Sequence, residues 1–175
     1  MKTRALFVLL ATPLLAVAGI ISSGTVTIPG TFSFDFDAGV VDVYGIDPAA
    51  DVFWEQFTST TRGLEPVDGA TIVNLGVVSF AGITLTELEG LSYGSTGIDG
   101  SDLSNVLVPG DVFAVQTNSG SFAKVLVTGP LDSGSDNGLP IQWETDSPSV
   151  PEPGSFMLAL IGIGGLTLAR RRSVP

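Results

Sequence analysis

The sequence predicts an all-β fold, an antiparallel β-sandwich or compact β-roll, flanked by an N-terminal signal peptide and a C-terminal single transmembrane helix. Three observations predict it. Short runs alternate apolar with polar residues, which is the period of a strand with one buried face. Glycine, proline, serine and threonine break those runs at close intervals, and long helix-forming stretches are scarce. Both chain ends carry apolar segments bordered by basic residues.

Residues 1–18 read as the signal peptide. Lys2 and Arg4 come first, an apolar core follows, and Ala16-Val17-Ala18 supplies the small residues of a cleavage site, with the cut expected after Ala18. The apolar stretch is short for a permanent span, and an uncleaved anchor or a buried core helix is the alternative. No lipobox cysteine is present, which excludes lipoprotein processing.

Residues 25–146 read as an exported acidic β-domain. "TFSFDFD" sets Phe32, Phe34 and Phe36 on one face of a strand and Ser33, Asp35 and Asp37 on the other. "PAADVFWEQF" reads as a strand on its aromatic and β-branched content, although Pro48 could also open a helix. "TIVNLGVVSF" and "GITLTEL" read as further strands, with Gly76 and Gly82 as bends or bulges. In "DVFAVQTNSGSFAKVLV" two strand-like runs flank Asn118-Ser119-Gly120, the clearest hairpin in the chain.

The formal charge is −11, and its placement is informative. Lys2, Arg4, Arg170, Arg171 and Arg172 lie at the ends, leaving Arg62 and Lys124 as the interior bases, whereas every acid lies between Asp35 and Glu152. Such a surface repels phosphates, so nucleic acid is not an expected partner. There is no cysteine, hence no disulfide, thiolate site or cysteine nucleophile.

Residues 147–153 form a proline-containing linker that ends in Pro151-Glu152-Pro153. The two prolines hold the backbone extended and remove amide donors, so this segment cannot join the following helix. Residues 154–169 are the expected membrane helix, and residues 170–175 a basic cytoplasmic tail. From Gly154 to Ala169 a helix spans roughly 24 Å, short of the roughly 30 Å of a hydrocarbon core. Arg170, Arg171 and Arg172 favour the cytoplasmic side and act as a stop-transfer element, which puts the β-domain on the exported side. Gly162, Gly164 and Gly165 would let a second helix approach closely in lipid.

Pro-Glu-Pro, a short glycine-containing apolar helix and a terminal arginine cluster, in that order, closely resemble the PEP-CTERM sorting signal of Gram-negative bacteria. The resemblance covers about the last 25 residues. It implies recognition of Pro151, Glu152 and Pro153 by a membrane exosortase. It also implies transit through the inner membrane and delivery to the cell surface or an extracellular polysaccharide matrix. "FDFDAG", "GDVFAVQTNSGSFAKVLV" and "GLPIQWET" further resemble parts of an uncharacterised module of secreted bacterial proteins.

The chain has no histidine, which removes histidine triads and imidazole metal sites. Ser121 and Lys124 match Ser-x-x-Lys, but in a strand residues three apart point to opposite faces, so Lys124 reads as a half-exposed strand residue. Glu55 beside Trp54 and Glu144 beside Trp143 offer carboxylates next to rings, a pattern that core tryptophans with solvent-facing acids also produce. No enzyme is therefore expected, and no cofactor unless calcium binds in the acidic loops. The calcium candidates are Asp99 and Asp102 in "DGSD", and Asp132 and Asp136 with Asn137 in "DSGSDNG". The expected role is structural or adhesive within exopolysaccharide. A carbohydrate-binding module with Trp54, Trp143 or Tyr93 as stacking rings is the second reading. Ice binding would need a repeating threonine face, whereas Thr58, Thr60 and Thr61 form an isolated cluster.

Overall fold

Alternating residues drive the architecture, because each alternation gives a strand one face to bury. β10 (Leu139–Asp146) shows this most plainly: Leu139, Ile141, Trp143 and Thr145 are buried, while the residues between them are partly exposed. The structure is a computed structural model that describes residues 19–131 and 137–148. The expected cleavage site at Ala16 and Ala18, the sorting motif, the membrane glycines and the arginine cluster lie outside the described residues. So do Asp132 and Asp136.

Two five-stranded antiparallel sheets make a sandwich. The first has β1 (Ile20–Ile28) beside β10, then β9 (Phe122–Val127), β8 (Val112–Gln116) and β6 (Thr71–Gly76). The second runs β3 (Val40–Tyr44), β2 (Phe32–Asp35), β4 (Val52–Gln56), β5 (Arg62–Pro66) and β7 (Ile98–Asp99). The core draws on both: Phe34, Phe36, Val52, Trp54 and Leu64 from the second meet Ile28, Phe113, Val125, Ile141 and Trp143 from the first. The rings of Phe34 and Trp143 meet edge to face at 5.0 Å, and those of Phe34 and Phe36 at 4.8 Å.

The expected strands at "TFSFDFD" and "PAADVFWEQF" and the hairpin at Asn118-Ser119-Gly120 are present, Gly120 taking φ +85° in the turn. Gly76 adopts φ +65° where the β6–β8 register shifts, the expected bulge. β1 begins at Ile20, ahead of the Thr25 at which the domain was expected to start. Within it Gly24 lies opposite Trp143, and a Cβ there would come within 2.7 Å of the indole Cη2, so glycine is what lets the ring lie flat against β1.

"GITLTEL" is not a strand. A 3₁₀ turn at Phe80–Gly82 leads into the helix α1 (Leu85–Glu89). Thr84 accepts a hydrogen bond from the Glu87 amide while the Glu87 carboxylate accepts one from the Thr84 amide, a reciprocal capping box. α1 covers the outer face of the first sheet, packing Leu88 against Ala114 and Phe122. The β8 and β9 strands are thereby buried on both faces, which is why their sequences run almost unbroken apolar.

Candidate functional site

The residues singled out for sugar stacking are inside the protein. Trp54 is fully buried and donates its indole N–H to the Asn137 carbonyl at 2.8 Å. Trp143 is buried and donates to the Ser22 hydroxyl at 3.1 Å. Neither ring is available to a glycan. Tyr93 is half-buried, with its hydroxyl donating to the Leu88 carbonyl at 2.9 Å and its ring tilted against Phe122.

Lys124 is also buried rather than half-exposed. It points to the outer face of β9 beneath the turn that precedes α1. There it pairs with Glu144 on the facing strand at 2.9 Å, donates to the Ile83 carbonyl at 3.2 Å, and lies 5.1 Å from the Phe80 ring centre. The helical segment that the alternation concealed closes over this lysine.

Of the expected calcium ligands, Asp102 faces a protein cation. Its carboxylate pairs with Arg62, whose side chain is fully buried and also reaches the carbonyls of Ser59 and Leu131 and the side-chain oxygen of Asn137. Arg62 thus gathers three loops at one end of the sandwich. Asp99 turns back on its own loop: hydrogen bonds from the side chain and amide of Ser101 hold its carboxyl below the usual range. Asp102 is thus brought to a protein guanidinium and Asp99 to the Ser101 of its own loop.

A different acidic group forms at the end of the sandwich where three segments meet. Asp35 ends β2, Asp37 sits in the turn to β3, and Asp51 immediately precedes β4. One carboxylate oxygen from each lies within 4.8 Å of the other two. The turn is tight because Asp35 Oδ1 accepts from the amides of Asp37 and Ala38 at 2.8 and 2.9 Å, with Gly39 at φ +68° closing it.

Asp51 is fully buried. Its Oδ2 accepts from the Phe36 amide and its Oδ1 from the Asn118 amide, both at 2.8 Å, and the Asn118 side chain returns to the carbonyls of Ala49 and Ala50. The carboxylate therefore ties the second sheet to the β8–β9 hairpin of the first. Burial pushes its pKa up to about 6; the two amides pull it down, and the charges of Asp37 and Asp35 push it up again. Asp37 is more exposed as a residue, yet both its carboxylate oxygens are closed off from solvent and meet no hydrogen-bond donor. Asp42, nearby on β3, is raised by burial, by Asp47 and by Asp35, and its Oδ2 is likewise enclosed without a donor.

Sequence reading missed this group because it placed Asp35 and Asp37 on a solvated face opposite the phenylalanines. Asp-Val-aromatic at Asp51 and Asp111 marks a buried acid in each case, but it does not point to Asp35 or Asp37. Asp51 and Asp111 both sit buried at the head of a central strand.

A shallow open groove between β6 and α1, lined by Leu75, Val78, Ile83 and Leu91, has Glu87 as its acid, which is engaged in the cap. Among the described residues no helix is long and apolar enough to cross a membrane, and the expected membrane segment lies outside them.

Comparison with curated proteins and with solved structures found no match to the chain. The resemblance of the β-domain to a secreted bacterial module gains no support from them. The family comparison matched residues 149–173 to the PEP-CTERM protein-sorting motif, so the segment directly after the sandwich carries that sorting signal.

Proposed function

We propose that this chain is an exported protein that an exosortase sorts to the cell surface or extracellular polysaccharide matrix, where its β-sandwich serves as a structural or adhesive, non-catalytic element. The match of residues 149–173 to the PEP-CTERM sorting motif carries this reading. The geometry of the other end supports it. A cut after Ala18 would leave β1 whole from Ile20, and β1 pairs along most of its length with β10, the last strand before the sorting segment. Cleavage at either end would remove no strand of the sandwich. The burial of Trp54 and Trp143 favours a structural element over a sugar-stacking module.

The mature termini test this directly. The intact mass of the protein from its native host should fit a chain that starts after Ala18 and ends near Pro153. In a strain lacking the exosortase the product should keep its C-terminal segment. A mature product that retains Arg172 in the wild-type strain would overturn sorting and leave a simple tail anchor.

A further inference from the structure

We propose that Asp35, Asp37 and Asp51 bind a calcium ion at the end of the sandwich where the β2–β3 turn, the start of β4 and the β8–β9 hairpin meet. The proposal is independent of the sorting reading.

Four observations carry it. The first is distance. Calcium binds oxygens at about 2.3–2.6 Å, so two oxygens on one ion can be at most about 5.2 Å apart. The three carboxylates already present oxygens within 4.8 Å of one another. The second is the orphaned acid. Both Asp37 oxygens are cut off from water and accept no hydrogen bond, and one of them belongs to the converging set. An enclosed carboxylate without a donor is expensive, and buried charges are ordinarily paired or bound to metal.

The third is that no protein cation among the described residues does this work. Arg62 and Lys124 are the basic residues between residues 19 and 148, and they pair with Asp102 and Glu144. The fourth is preorganisation. Backbone amides fix Asp35 through one oxygen and Asp51 through both. A carboxylate oxygen that accepts one amide keeps a lone pair for a metal. The ligands are thus positioned by the fold before an ion arrives.

The donor chemistry selects the ion. The set is all oxygen, in a chain without histidine or cysteine, which suits a hard cation and disfavours zinc or copper. Magnesium holds its water shell and demands near-octahedral geometry at about 2.0–2.1 Å, whereas calcium tolerates an irregular set of carboxylates and waters. Extracellular calcium modules bind at about 10⁻⁴–10⁻³ M. An ion here would clamp the second sheet to the first-sheet hairpin through Asp51.

The test uses the full chain, purified in detergent and stripped with chelator at neutral pH. Equilibrium dialysis with calcium should give one bound ion per chain, and about 10 mM calcium should raise Tm by about 3–6 °C, well beyond sodium chloride of equal ionic strength. Asp37→Asn should fold, since it removes an uncompensated charge, and should lose both the bound ion and the Tm gain. Asp132→Asn, in the other acidic loop, should keep both. No binding, a Tm gain that sodium matches, or binding lost in Asp132→Asn but kept in Asp37→Asn would each overturn the site.

Discussion

Tyr93 shows how a single buried polar atom sets the behaviour of its surroundings. Its phenol lies half-buried against Phe122 and donates to the Leu88 carbonyl at the end of α1. Burial pushes its pKa well above the usual value of about 10. The folded phenol therefore keeps its proton at a pH where the unfolded one loses it. Its contribution to stability is complete below about pH 10 and declines as pH rises past that value. Tyr93→Phe should cost about 1 kcal/mol at neutral pH through the lost hydrogen bond. The same variant should lose less stability than wild type between about pH 9 and about pH 11. Melting curves of the two proteins across that range check both statements; parallel curves would show that this phenol is not responsible. Tyr93 was a candidate for sugar stacking in the sequence, and only the position of its hydroxyl under Leu88 shows it to be a tie between a helix and a sheet.

Among the elements, α1 is the most instructive because its five residues are too few to persist alone. It survives through its cap and through Leu88, which is buried against the outer face of β8 and β9. Thr84→Ala removes the side chain that accepts from the Glu87 amide and should cost about 1 kcal/mol. Loss of the cap should also loosen the turn over Lys124, whose ammonium donates to Ile83. Hydrogen exchange should thus show faster opening of the Leu88 and Leu91 amides, while the amides of β10 stay protected; uniform loss of protection would mean that α1 opens with the whole domain. Glu87 is held below its usual pKa by the Thr84 amide and hydroxyl, so the contribution of the cap is present above about pH 4.5 and is lost as pH falls further.

The strands with one buried face were legible because period-two alternation and turn residues act locally, as at Phe32 to Phe36 and at Asn118 to Gly120. α1 was also written locally, as Thr-x-x-Glu, but Ile83 and Leu85 mimic a strand over so short a run. The acidic group was not legible, because convergence of Asp35 and Asp37 on Asp51 depends on β4 pairing with β2 and on the hairpin amide of Asn118. Both are tertiary events.

Taken whole, the molecule keeps a large surplus of negative charge. Every acid lies between Asp35 and Glu152, and the bases within that span, Arg62 and Lys124, are occupied in ion pairs. Repulsion among the rest opposes the compact state. It acts at Asp42, where burial first, and then Asp47 and Asp35, favour the neutral carboxyl. Screening relieves such repulsion: the Debye length falls from about 30 Å at 0.01 M salt to about 8 Å at 0.15 M. The chelator-treated protein should therefore gain about 2–4 °C in Tm over that range. Asp42→Asn should supply part of this gain at low salt and little of it at high salt, because it removes a charge that salt would otherwise screen. The competing force is the attraction within the Arg62–Asp102 and Lys124–Glu144 pairs, which salt weakens, but one member of each pair is buried and so is screened least. A Tm that falls as sodium chloride rises would show that these two pairs outweigh the surplus, and that the acids are arranged to coexist without a counter-ion.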